Sequence, residues 1–135
     1  MKTKLFTIFF LLVTSQVFAG IVDDNIVKLK KTNACVGCDL RNVNRYANLI
    51  SADLTGVNLS NADLTEANLS YAQSTFADLT FANLSHANLS HADLTKANLS
   101  NANLSNANLS YANFSGANLL DVENSDVNFS ITGLW

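Results

Sequence analysis

The chain has 135 residues, of which 48% are hydrophobic and 14% charged, with a formal net charge of −3. One domain fits that length, and a mildly acidic chain with few basic residues builds no phosphate-tracking stripe, so direct nucleic-acid binding is excluded. Proline is absent, which suits an uninterrupted backbone ladder.

The N-terminus reads as a targeting segment. Lys2 and Lys4 precede a nearly continuous apolar stretch from Leu5 to Val13, and Val17-Phe18-Ala19 supplies a small residue before Gly20. This is the pattern of a secretory signal peptide over 1–19 with cleavage after Ala19. The apolar core is short for a membrane-spanning helix. Cys35 is not a lipoprotein cysteine, because Thr32-Asn33-Ala34 lacks apolar lipobox residues. The expected destination is the periplasm or the outside of a bacterial cell, with no membrane attachment after cleavage.

Residues 20–37 form a lead-in. Val22, Ile26 and Leu29 share a helical stripe, with Asp23 and Asp24 early and Lys28, Lys30 and Lys31 late. Acid first and base last suits the helix dipole. The spacing predicts a short helix or an irregular cap over the first layer of whatever follows.

Cys35-x-x-Cys38 has three readings. A thioredoxin-like redox site needs a strand-to-helix context. A zinc site needs four ligands, and the two histidines, His86 and His91, are remote in sequence. A short-loop disulfide that staples the cap in an oxidising compartment is the reading favoured here, with a pair of buried thiols second.

From Leu49 onward, nearly every fifth residue is Leu or Phe, and nearly every one has Ala two positions earlier: Ala47-Asn48-Leu49, Ala52-Asp53-Leu54, and so on to Ala117-Asn118-Leu119. A step of five smears an apolar set around a helix and alternates it between the faces of a strand. The chain must instead bend after each short extended segment and coil around its own Leu side chains. Leu40 lies nine residues before Leu49 rather than ten, so a residue is missing within Val43-Asn44-Arg45-Tyr46. Arg45 then falls where an inward Leu belongs, and Arg45 or Tyr46 is expected to turn outward. Ser74 takes another inward position, and beyond Leu119 the pattern decays toward Trp135, a candidate lid.

The A(D/N)LSX tandem resembles the pentapeptide-repeat family over roughly two-thirds of the chain. Cys35-Val36-Gly37-Cys38-Asp39-Leu40 is similar to the CxGCDL lead-in of its exported members. The resemblance implies an all-β, right-handed quadrilateral β-helix of about four to five coils over 38–135, regular over 47–119 and degenerate over 120–135. It implies that positions i and i−2 point inward while i−1, i+1 and i+2 face solvent. With four repeats per coil, residues twenty apart stack, so Asn48, Asn68, Asn88, Asn108 and Asn128 form one ladder and Thr55, Thr75 and Thr95 another. Hydrogen bonding along the stack accounts for these ladders better than ligand binding does.

The i+2 positions carry the individuality of the chain. Tyr71, Phe76, Phe81, His86, His91 and Tyr111 form an aromatic group and a candidate interaction patch, although aromatics can also simply cover corners. His86 and His91 have only Glu66 to help hold a metal, and read as solvated surface histidines. No nucleophile with a base, paired inward carboxylates or phosphate loop is present, so neither an enzyme nor a cofactor is expected. The functional expectation is a non-catalytic, exported, monomeric scaffold or protein-interaction module with an unidentified protein partner. One alternative comes from family members that mimic DNA and bind type II topoisomerases. Another is a binder of ice or glycan surfaces through flat Thr and Asn ladders.

Overall fold

The computed structural model describes residues 28–29, 31–41, 43 and 45–128. The signal peptide expected over 1–19, the helical-stripe residues Val22 and Ile26, and the candidate lid Trp135 lie outside the described residues. From Asn48 to Asn108 every i−1 residue makes a parallel bridge to the residue twenty positions later, as in Asn48 to Asn68, Asp53 to Gln73, Asn58 to Asp78 and Asp63 to Asn83. Those four columns are the four sides of a rod, named below after Asn48, Asp53, Asn58 and Asp63. The chain is a right-handed quadrilateral β-helix.

Each pentapeptide is one short bridging segment followed by a turn. The Leu49 amide donates to the Asn68 carbonyl above it at 2.8 Å, and the Asn68 amide donates back to the Ala47 carbonyl at 2.8 Å. The corner closes when the Ala52 amide donates to the Leu49 carbonyl at 3.1 Å. The second central residue of each corner is left-handed: Tyr71 has φ 60°, Phe76 58°, Phe81 57°, His86 59° and His91 58°. A turn of this kind needs positive φ at that position. It usually takes Gly or Asn there, so bulky side chains are held at a conformational cost of about 1–3 kcal/mol each.

The inward Leu and Ala side chains fill the rod; Leu54, Leu84 and Leu94 are 0% exposed and Ala52 is 0% exposed. The i−1 carboxylate or amide folds back over its own turn. Asp93 Oδ1 accepts from the Thr95 amide at 3.0 Å and from the Thr95 hydroxyl at 2.6 Å. Asn88 Oδ1 accepts from the Ser90 amide at 3.0 Å. This Asx geometry explains why Asp and Asn alternate freely at i−1 and why Ser or Thr follows at i+1.

The first coil is one residue short. Ala34 pairs with Asp53 and Asp39 with Asn58, separations of nineteen. The Tyr46 amide donates to the Thr65 carbonyl at 3.0 Å, as the Glu66 amide does to Ser85 at 3.0 Å. Tyr46 is therefore a corner residue and Arg45 occupies the exposed i+1 position, so Arg45 does not displace an inward Leu as its spacing suggested. The shortened side lies between buried Val43 and Arg45. The ladder also begins earlier than Cys38, at Ala34.

Below the first coil, residues 28–29 and 31–32 are helical and Leu29 is buried against the core. The helix ends where Asn33, at φ 54°, donates its amide to the Leu29 carbonyl at 2.8 Å, a left-handed C-terminal stop. At the other end the ladder persists to Asn128, but Leu119 is 38% and Leu120 62% exposed. No helix among the described residues is long and apolar enough to cross a membrane.

Candidate functional site

Cys35 and Cys38 occupy two inward positions on either side of one corner. The Cys35 amide donates to the Asp53 carbonyl at 2.7 Å, as Leu54 does to Gln73 at 2.7 Å, so Cys35 stands where a repeat has Leu and Cys38 where it has Ala. Their sulfurs are joined, with S–S 2.11 Å and Cα–Cα 5.3 Å. Both residues are buried, at 0% and 6% exposure, while Val36 and Gly37 form the corner outside them. A bond closed inside the core packs a structural position; an attacking thiol would need access to solvent.

The six aromatic i+2 residues do not form one patch. They divide among all four corners of the rod, because residues five apart sit on successive corners and only residues twenty apart stack. Tyr71, His91 and Tyr111 share one corner and stack ring on ring, with centroids 4.6 Å apart at 3° and 4.9 Å apart at 11°. Phe76 stands across the Asp53 side from Tyr71, with the Lys96 ammonium 5.2 Å from its ring centroid. Phe81 lies one corner further on, across the Asn58 side, and His86 is on the fourth corner above Glu66. The Glu66 carboxylate reaches Arg45 at 3.8 Å. Among the described residues no three His, Cys, Asp or Glu side chains come together to hold a metal.

The polar ladders are joined internally at a few rungs. The Asn108 amide donates to Asn88 Oδ1 at 3.3 Å, Asn118 to Asn98 at 3.0 Å, and the Thr75 hydroxyl to Thr55 at 3.4 Å. Most Oδ1 atoms of the i−1 residues are already occupied by their own turn amides. A surface binder that relies on these ladders would find their Oδ1 acceptors already engaged, while side-chain amides such as those of Asn48, Asn68 and Asn88 donate to nothing among the described residues. The acidic side chains are equally dispersed: Asp53 and Asp93 share a side but are separated by Gln73, and Asp63 and Asp78 stand on two others. No acidic row runs along the rod.

Two features escaped sequence reasoning. Asp39 and Arg41 form an exposed pair at 2.6 Å, and hydrogen bonds from the Arg41 guanidinium, followed by its backbone amide, hold the Asp39 carboxyl below its ordinary range. The i, i+2 spacing of opposite charges around a turn was the available signal. The second is the idle side chain of Gln73, the only i−1 residue between Asn48 and Asn118 that is neither Asp nor Asn. Its side-chain amide makes no hydrogen bond among the described residues.

An all-β rod of stacked parallel coils, with an Ala/Leu interior and a turn every five residues, is a repeat solenoid. The pentapeptide repeats profile matches it in 8 copies over residues 45–73 and 75–110; the protein belongs to the pentapeptide repeat family. Similar solved structures include a pentapeptide repeat protein, Rfr23, from the cyanobacterium Cyanothece 51142, 28% identical over 78% of this chain and 97% of that one, with a TM-score of 0.47. A pentapeptide repeat protein from the Arabidopsis thaliana thylakoid lumen is 31% identical over 67% of this chain and 61% of its own, with a TM-score of 0.47. QnrB1, a plasmid-mediated fluoroquinolone resistance protein, is 20% identical over 71% and 62%, with a TM-score of 0.46. No curated protein matches the chain.

Proposed function

We propose that this protein is a non-catalytic, exported rod that presents corner side chains to a binding partner. One observation carries the reading: Tyr71, Phe76, Phe81 and Tyr111 are 52–61% exposed although each sits at a left-handed corner that would accept Gly or Asn at lower cost. Large apolar rings kept in water at strained positions contribute little to folding and are typical anchors of recognition surfaces. The Cys35–Cys38 bond and the apolar leader with its small-residue cleavage site support export, where disulfides persist. The dispersal of Asp53, Asp63, Asp78 and Asp93 weighs against mimicry of a DNA backbone, which needs a continuous row of charge.

The test is a Phe76→Ser/Phe81→Ser double variant, compared with the wild type by cross-linking in the compartment to which the tagged protein goes. Stability should change by less than about 0.5 kcal/mol per site, as for surface substitutions, while cross-links to the partner disappear. Unchanged cross-linking would overturn the recognition reading, and retention of an uncleaved chain in the cytoplasm would overturn export.

A further inference from the structure

One side of one coil breaks the repeat at both of the positions that otherwise hold firm, i−1 and i, between two aromatic corners. In Tyr71-Ala72-Gln73-Ser74-Thr75-Phe76 both corners are aromatic, i−1 is Gln, and the inward residue is Ser. Neither Gln at i−1 nor Ser at i recurs anywhere between Ala47 and Leu119. The two stretches matched by the family profile meet at this point, leaving out Ser74. Ser74 is 1% exposed, so the rod gives up a Leu of core at the level where its surface is most unusual. Rules broken together at one place mark function more often than drift.

The surface geometry there is specific. The upper face of the Tyr71 ring is covered by His91, and the corner below it holds only Ser51. The upper side of the Phe76 ring carries the Lys96 ammonium, and the corner below it is Gly56. Crowding does not force that glycine, because a Cβ at Gly56 would meet only the Gly37 Cα at 4.0 Å. Its effect is to leave the corner under Phe76 bare. Two aromatic rings on adjacent corners thus have small neighbours in the same direction, toward the N-terminal end. Between them stands Gln73, exposed, with an unused donor and an unused acceptor.

We propose that this side, framed by Tyr71 and Phe76 and centred on Gln73, binds an extended neutral β-linked glycan. The proposal rests on the reading of the corner aromatics as a recognition surface and names their ligand. Equatorially linked pyranose chains are flat ribbons whose C–H faces lie on aromatic rings, and a primary amide matches a pair of hydroxyls with one donor and one acceptor. The only cation at these two corners, Lys96, is engaged with Phe76, and an anionic ligand would meet Asp53 and Asp93 on the same side.

The test follows the Gln73 side-chain amide resonance of the full chain while cellohexaose, chitohexaose or xylohexaose is added. At least one hexasaccharide should give a saturable shift. Tyr71→Asn and Phe76→Asn, chosen because Asn already occupies left-handed corners at Asn61 and Asn101, should each weaken binding at least about tenfold, the size of a lost aromatic contact of ~1.4 kcal/mol. Gln73→Asn, followed instead at the Tyr71 backbone amide, should do the same, because the shorter amide folds back onto the Thr75 backbone as its neighbours do. Phe81→Ser, on another side, should leave the affinity unchanged. No saturable shift with any of the three sugars, or binding that survives Tyr71→Asn, overturns the glycan assignment. If the sugars fail but a protein partner is still lost from Phe76→Ser/Phe81→Ser, the recognition reading stands without the glycan; if both fail, both readings fall.

Discussion

Asp39 shows how little a single charge pair adds to a solenoid and how clearly it can still be read out. Arg41 reaches it through the guanidinium at 2.6 Å and through its backbone amide at 3.2 Å. The pair is open to water, so it contributes little to stability. A carboxyl held low gives up its contribution only as pH falls through its folded value, since above the unfolded value it is ionised in both states. The Asp39 side-chain carbon should therefore titrate below the ordinary carboxylate range by NMR, and Arg41→Gln should move the midpoint up. An unmoved midpoint would mean that the pair does not persist in solution. The other residue-scale lesson is the corner. Its left-handed backbone makes i+2 the one position where neither the core nor the ladder dictates the side chain.

At the scale of the pentapeptide, sequence and structure correspond closely because the repeat obeys two simple constraints. Inward positions must be apolar and sized to one another, and i−1 must carry a short oxygen that can cap its own turn. Leu49 to Leu119 could be placed from spacing alone, as could the Tyr71–His91–Tyr111 column. Grouping the aromatics as one candidate patch overlooked corner phase: residue numbers taken twenty at a time leave Tyr71, His91 and Tyr111 together and put Phe76, Phe81 and His86 on three other corners. Gln73 was legible as a departure, but its idle amide was not, since reach depends on one methylene. Arg45 was misassigned for a related reason: spacing locates a missing residue within a stretch without saying which position absorbs it. Ser74 is the element where stability and function should diverge. Ser74→Leu restores the repeat and should raise the unfolding free energy by about 1–3 kcal/mol, toward the lower part of the range for filling a buried Leu site. Chemical denaturation measures it, and a loss of stability would mean that the coil has closed around the serine.

Across the whole molecule the two ends differ. The N-terminal end is closed by Leu29 and by a bond between Cys35 and Cys38 within the first coil. The C-terminal coil leaves Leu119 and Leu120 in water, with Val122 and Val127 only partly covered. Stacked repeats derive their stability from neighbours, so a coil with one neighbour opens before a coil with two. Amide exchange should be slowest at the inward Leu positions from Leu64 to Leu99 and should quicken steadily toward Leu119. Equal protection along the rod would show that it opens only as one unit. Charge follows the same polarity: Lys28, Lys31, Arg41 and Arg45 lie near the first coil, and Asp121, Glu123 and Asp126 on the last.

The twenty-residue separation of the bridges turns the rod into a display with addresses. A residue number fixes both the corner on which a side chain stands and its height, so two groups can be set one above the other, or one corner apart, by arithmetic on the sequence. Stacking His91 between two tyrosines and Phe76 beneath Lys96 are two entries on that grid. Because each corner backbone is already committed, a change at one address leaves the others where they were. A chain of this kind can acquire, move or lose a contact by a single substitution, without redesigning the fold that holds it.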